Sequence, residues 1–382
     1  MKHNAPIAYL RESQFYIVEN VLLRKGQIAR VIPGSEVPAL APPIAYLAKY
    51  IGIVVASERR LRGIGRRIGF CVVDCEELLA FCFINNDNGF IVISRGFLAL
   101  AVGTSACLLS TEPFVRRSHL NIPILLTEEN YKTYPRDENG YPIIENFEEN
   151  TLFPMLFLAA LSAAAIVLHE IAHFVNGHLS LRERQPEVFK SSIIRQAIEY
   201  DADCYAVTGL ENFMLHMKRR GITVIDHPVA RIELISIAAA IAFCSMGRQM
   251  VCPDDGWRQS ESSHPPEPRR LASMIGIGGE LLHRRGLPFD ESFKRAGENT
   301  VMTVNAARLA FNHEKIDREA EIKELDARHE YLGDLIEGWA QVRPLLEPLK
   351  IGLGKLAPVQ KRMTVEEAAF EANLRGKNDI KR

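Results

Sequence analysis

The run Leu152-Phe153-Pro154-Met155-Leu156-Phe157-Leu158-Ala159-Ala160-Leu161-Ser162-Ala163-Ala164-Ala165-Ile166-Val167-Leu168-His169-Glu170-Ile171-Ala172-His173-Phe174-Val175-Asn176-Gly177 decides how the chain is read. It predicts a helix from about Phe153 to Asn176, stopped by Gly177 as a C-terminal glycine. The small apolar stretch Ala163 to Leu168 belongs against a core that excludes bulk water. Positions 169 and 173 are four apart, so both imidazoles leave one face of the helix and can share a metal ion. Glu170 stands beside them, within reach of a metal-bound water. Zinc that hydrolyses amides takes three protein ligands and keeps one position open, so a third ligand must come from another element.

Glu199 meets that need. It opens Glu199-Tyr200-Asp201-Ala202-Asp203, 26 residues after His173, on a second predicted helix from about Ser191 to Thr208 that ends at Gly209. Asp203 lies four residues on, on the same face, where it can accept the N–H of a ligating histidine and fix its tautomer. Ala202 is small enough for the two helices to approach closely. His178 is nine residues from His169, half a turn out of phase on a continuous helix, and is expected to face away from the metal as a helix-end residue.

These residues, with His264-Pro265-Pro266 and Arg270-Leu271 further on, resemble the gluzincin zinc metallopeptidases of the HtpX and CAAX prenyl protease type. The helix motif and the acidic motif are also similar to those of phage-exclusion peptidases of the Lit type. The resemblance covers roughly residues 80 to 280. It implies a zinc-dependent endopeptidase in which His169, His173 and Glu199 bind zinc and Glu170 is the general base for a zinc-bound water. His264 and Arg270 would face the reacting carbonyl. His227-Pro228 with Arg231 is a weaker match to the late motif, because its spacing is four where the family has six. The implied substrate is a protein or peptide. Gly89-Phe90-Ile91-Val92-Ile93-Ser94 resembles the family's edge strand, whose unpaired backbone binds an extended peptide by β-addition. Cys82-Phe83-Ile84 departs from the family's Asn-Ala-Phe lead-in to it. The other reading of the same residues is a zinc-stabilised regulatory or binding protein that cuts no bond.

The fold class expected is α+β, mostly helical, with a gluzincin core built on the active-site helix, a small edge-strand sheet and C-terminal helices. Runs rich in β-branched and aromatic residues flank Asn85-Asn86-Asp87-Asn88-Gly89 and predict a hairpin. A third apolar helix is expected over Ile232 to Met246. Ile322, Leu325, Leu332, Ile336 and Trp339 mark a later amphipathic helix, and Thr364-Val365-Glu366-Glu367 the start of another. The domain expectation is an N-terminal segment over 1–79, a peptidase core over 80–300 with a surface insertion at 111–150, and a helical module over 301–382.

With 382 residues the chain is long enough to bury a site. Its 46 Lys and Arg against 47 Asp and Glu leave a charge of −1, which disfavours nucleic acid as a partner. Five arginines cluster at Arg59, Arg60, Arg62, Arg66 and Arg67, a pattern expected of a solvated face. Seven cysteines without a Cys-x-x-Cys pair suggest a reducing compartment. The cytoplasm is therefore expected, with membrane association as the alternative because Leu152 to Leu168 carries no charge.

Overall fold

The computed structural model describes residues 9–111, 149–219, 227–246, 267–310 and 333–359, with Glu129, Thr133 and Pro135. In chain order these give helix α1 (Phe15–Arg24), strand β1 (Val31–Ile32), α2 (Pro42–Leu61), β2 (Ile68–Val73), β3 (Ala80–Asn85), β4 (Asn88–Ser94) and α3 (Arg95–Ser110). Then come α4 (Glu149–Val175), α5 (His178–Arg184), α6 (Ser192–Arg219), α7 (Pro228–Ala240) with a π-helical turn at Ile241–Met246, α8 (Glu267–Arg284), α9 (Phe289–Ala310) and α10 (residues 333–346). The protein is mostly helical with a small mixed four-stranded sheet.

The hairpin forms where expected. Asn86 and Asp87 take φ of 48° and 60°, the left-handed conformation that a two-residue hairpin turn demands and that Asn and Asp tolerate. The strand order is β1-β2-β4-β3, with β2 and β4 parallel and the outer pairs antiparallel. This overturns the edge-strand expectation. Gly89 to Ser94 pairs along its whole length with β2 on one side and β3 on the other, and every one of these residues is buried. Among the described residues the edge belongs to β3. The text carried part of the signal: an unbroken apolar run such as Phe90-Ile91-Val92-Ile93 is the mark of a strand covered on both faces, as strands with parallel neighbours commonly are.

Both sheet faces are covered. Val18 and Leu22 of α1 pack on Cys71, Val73, Phe90 and Val92. Phe70, Val72, Ile91 and Ile93 join the main core, which α2, α3, α4, α6, α7 and α9 share. The expected boundary at 79 is thus crossed by the sheet itself, since β2 lies in the first segment and pairs with β4. The boundary at 301 falls inside α9, whose Val304, Ala306 and Ala307 belong to the main core. The expected insertion at 111–150, His264, and the helical text around Ile322 and Thr364 lie largely or wholly outside the described residues.

Helix α4 runs through the middle of the core. Pro154–Val175 is long and apolar enough to cross a membrane by length and composition, and 83% of its most apolar window is buried inside the protein. Packing within the fold accounts for that apolarity. Helix α6 does not end at Gly209 but passes through it, because that glycine sits at the crossing with α4: a Cβ there would lie 3.2 Å from both terminal carbons of Leu168. Gly89 is likewise a contact glycine, whose added Cβ would meet the buried Phe174 ring at 2.7 Å. Past α10 a strap over residues 350–359 returns across the C-terminal end of α4, where Ile351 N–H donates to Val175 O at 2.8 Å. Leu353 N–H donates to Arg62 O, and Arg62 returns a bond to Leu353 O. Arg62 itself is buried against Glu58 and Tyr205, so this member of the arginine cluster is structural. Gly89→Ala is expected to destabilise the fold by about 1–3 kcal/mol through overpacking of β4 on α4; an unchanged denaturant midpoint would contradict that packing.

Candidate metal centre

Three donor groups converge. His169 and His173 come from α4 and Glu199 from α6, and one ligand atom from each lies within 4.8 Å of the others. His169 Nε2 is 3.1 Å from His173 Nε2 and 3.2 Å from Glu199 Oε2, and His173 Nε2 is 3.6 Å from Glu199 Oε1. Ligands about 2.0–2.1 Å from a tetrahedral ion stand about 3.3 Å apart, and the three separations bracket that value. The donor set therefore fits a metal ion in both identity and spacing. His169 and Glu199 are buried and His173 half-buried, so one side of the cluster is reachable.

Behind His169 stands Asp203, as expected: His169 Nδ1 is 2.8 Å from Asp203 Oδ1. Burial alone would lower the His169 pKa, but the hydrogen bonds to Asp203 and Glu199 outweigh it and hold the imidazole at about 10 without a metal. Metal binding would displace that proton, as it does at histidine sites in general. Burial works to raise the Asp203 carboxyl, yet Arg270 and His169 hold it below its ordinary range.

Arg270 is engaged by Asp203. Its Nε donates to Asp203 Oδ2 at 2.9 Å and its Nη2 to Oδ1 at 2.6 Å, while the guanidinium lies 4.6 Å from the centre of the Phe243 ring. Two of its five N–H groups are spent on the carboxylate, so Arg270 steadies Asp203. Phe243 comes from the π-helical turn, and its ring is 5.6 Å from that of His169, closing this side of the site with apolar surface. Of the alternative late motif, His227 is exposed at the start of α7 and Arg231 is buried.

His178 departs from expectation. Helix α4 stops at Val175, and Gly177 at φ 83° turns the chain so that His178 opens α5. The helical phase from His169 no longer applies, and the ring comes back to place Nδ1 3.0 Å from His173 Nδ1. In the sequence only Gly177, a residue that permits the left-handed turn, hints at this return.

Glu170 sits next to the ligands on α4 and accepts a hydrogen bond from the backbone N–H of Cys82 in β3. Burial pushes its carboxyl up to about 7. Leu79 and Ser94 are joined by hydrogen bonds at one end of the β3–β4 pair. Alternation along an antiparallel ladder then turns the N–H and C=O groups of Ala80, Cys82 and Ile84 away from β4. The outer edge of β3 thus runs past the general-base candidate. Asp203→Ala, which leaves the buried Arg270 without its partner, is expected to cost about 3–5 kcal/mol of stability; an unfolding curve equal to that of the wild type would contradict the pairing.

No family model matches the chain, and no curated protein or solved structure matches it.

Proposed function

We propose that the protein is a zinc-dependent metalloendopeptidase with a gluzincin-like core, acting on protein or peptide substrates. The observation that carries this reading is the meeting, at one half-open point, of the His169, His173 and Glu199 donors, the Glu170 carboxylate and the edge of β3. Zinc bound by those three residues would polarise a scissile carbonyl and lower the pKa of a bound water to about 7. Glu170, with a carboxyl near that value, takes the proton of the attacking water and delivers it to the leaving amine. Cys82 N–H holds the Glu170 carboxylate towards the cleft until substrate arrives. An extended peptide adds to β3 through the outward groups of Ala80, Cys82 and Ile84, which fixes its backbone beside the metal ligands. The role first expected of Gly89 to Ser94 passes to their neighbour strand.

Three measurements test the reading. Wild-type protein should carry about one zinc per chain by elemental analysis and cleave unfolded casein, with cleavage lost on chelation and restored by zinc. Glu170→Gln should keep the zinc and lose about 10²- to 10⁴-fold in cleavage rate, the worth of a positioned general base. Equal rates for the two proteins would sink the peptidase, and a zinc-loaded wild type that cleaves nothing would point to the binding-protein reading instead. Ile84→Pro removes one outward N–H of β3 without touching its ladder to β4. It should raise KM for peptides while leaving zinc content unchanged, and an unaltered KM would remove β3 from substrate binding.

A further inference from the structure

The metal-ligating face of His173 is supported by a line of groups that does not pass through Asp203. His173 Nδ1 is 3.0 Å from His178 Nδ1, and His178 Nε2 is 3.1 Å from Asp201 Oδ2. Asp201 in turn accepts from Asn176 Nδ2 at 2.6 Å and, through Oδ1, from the backbone N–H of Ala357 in the strap at 2.5 Å. His178, Asp201 and Asn176 are all buried, Asp201 and Asn176 completely. The strap is fixed at the same spot: Asn176 Nδ2 also donates to Lys355 O, and Ala357 O accepts from Trp339 Nε1 and Arg343 Nε.

Proton placement along this line has one solution that leaves His173 fit to bind a metal. For Nε2 of His173 to offer its lone pair, the ring proton must sit on Nδ1. His178 Nδ1 must then be the acceptor, which puts the proton of His178 on Nε2, facing the Asp201 carboxylate. The Asp201 oxygens receive N–H groups from Asn176 and Ala357. His178 Nδ1, as acceptor, fixes the ring of the ligand, and the Asp201 carboxylate, 3.1 Å from His178 Nε2 though outside hydrogen-bond geometry with it, favours the proton there by its charge. Here a second histidine is inserted between the ligand and its carboxylate.

We infer that His178 and Asp201 are positioning residues for His173, and that the strap at Ala357 holds Asp201 in register, so that the C-terminal strap is part of the metal site's support. The inference rests on the proposed metal site but not on proteolysis, and its test reads metal affinity. Full-length protein is loaded with Co²⁺ and its visible spectrum recorded, and Zn²⁺ affinity is measured by competition with a chromophoric chelator. His178→Leu, which removes the acceptor at constant bulk, should weaken Zn²⁺ binding by about 10- to 100-fold, the range typical for partners of metal-bound histidines, and should alter the Co²⁺ bands. His178→Gln, whose side-chain carbonyl can accept from His173 Nδ1, should recover most of the affinity. Asp201→Asn should weaken binding in the same direction. Ala357→Pro, which removes one backbone N–H far from the ligands in sequence, should do so by a smaller factor. Should His178→Leu fail to fold, the His178→Gln, Asp201→Asn and Ala357→Pro proteins carry the test. Folded variants with wild-type Zn²⁺ affinity and wild-type Co²⁺ bands would overturn the inference alone, whereas a wild type that binds no metal would overturn the metal site with it.

Discussion

Three donor atoms must stand about 3.3 Å apart if one ion is to bind them all, and two of the donors are on a different helix from the third. That requirement fixes how closely α4 and α6 cross. Helices with large side chains at the contact sit 8–10 Å apart or more. Ala202 and Gly209 of α6 are small where they meet α4, and Gly209 receives Leu168, the residue just before His169. On the opposite side of α4, Gly89 lets β4 come down onto Phe174. The apolar half of α4 serves this closeness as much as stability, since Ala159, Ala160 and Ala163 to Ala165 are all buried.

The same crossing buries two carboxylates that are two residues apart in sequence, and each is compensated differently. Asp203 has a cation, Arg270, gripping both oxygens. Asp201 has N–H donors from a side chain and from the strap, and the edge of an imidazole. A buried charge without such partners would cost several kcal/mol. Compensation by neutral donors adds no positive charge on the Asp201 side of the site.

Much of this was legible in the residues. His169, His173 and Glu199 meet as their spacing implied, Asp203 stands behind His169, and α4 ends within a residue of its expected stop. These features are local, or depend on helical phase, which sequence records well. What sequence did not record were relations between distant segments. The parallel pairing of β2 with β4 reverses which strand is the edge, and nothing in Gly89 to Ser94 names Ile68 to Val73 as its partner, although its unbroken apolarity pointed to two covered faces. The pairing of Arg270 with Asp203 joins residues 67 apart, a partnership that no local pattern names. His178 was judged by the phase of a helix that had already ended at Gly177.

The strap adds an element of order in time. Residues 351–357 are separated from the motif on α4 by more than 170 positions, yet they close the end of that helix and complete the ring of donors around Asp201. During synthesis at about 5–20 residues per second, the ribosome makes the histidines and both acidic residues well before it makes the segment that braces one of them. A nascent chain therefore carries the ligands but not the complete scaffold that aligns them, and the finished arrangement depends on a segment made long after the motif.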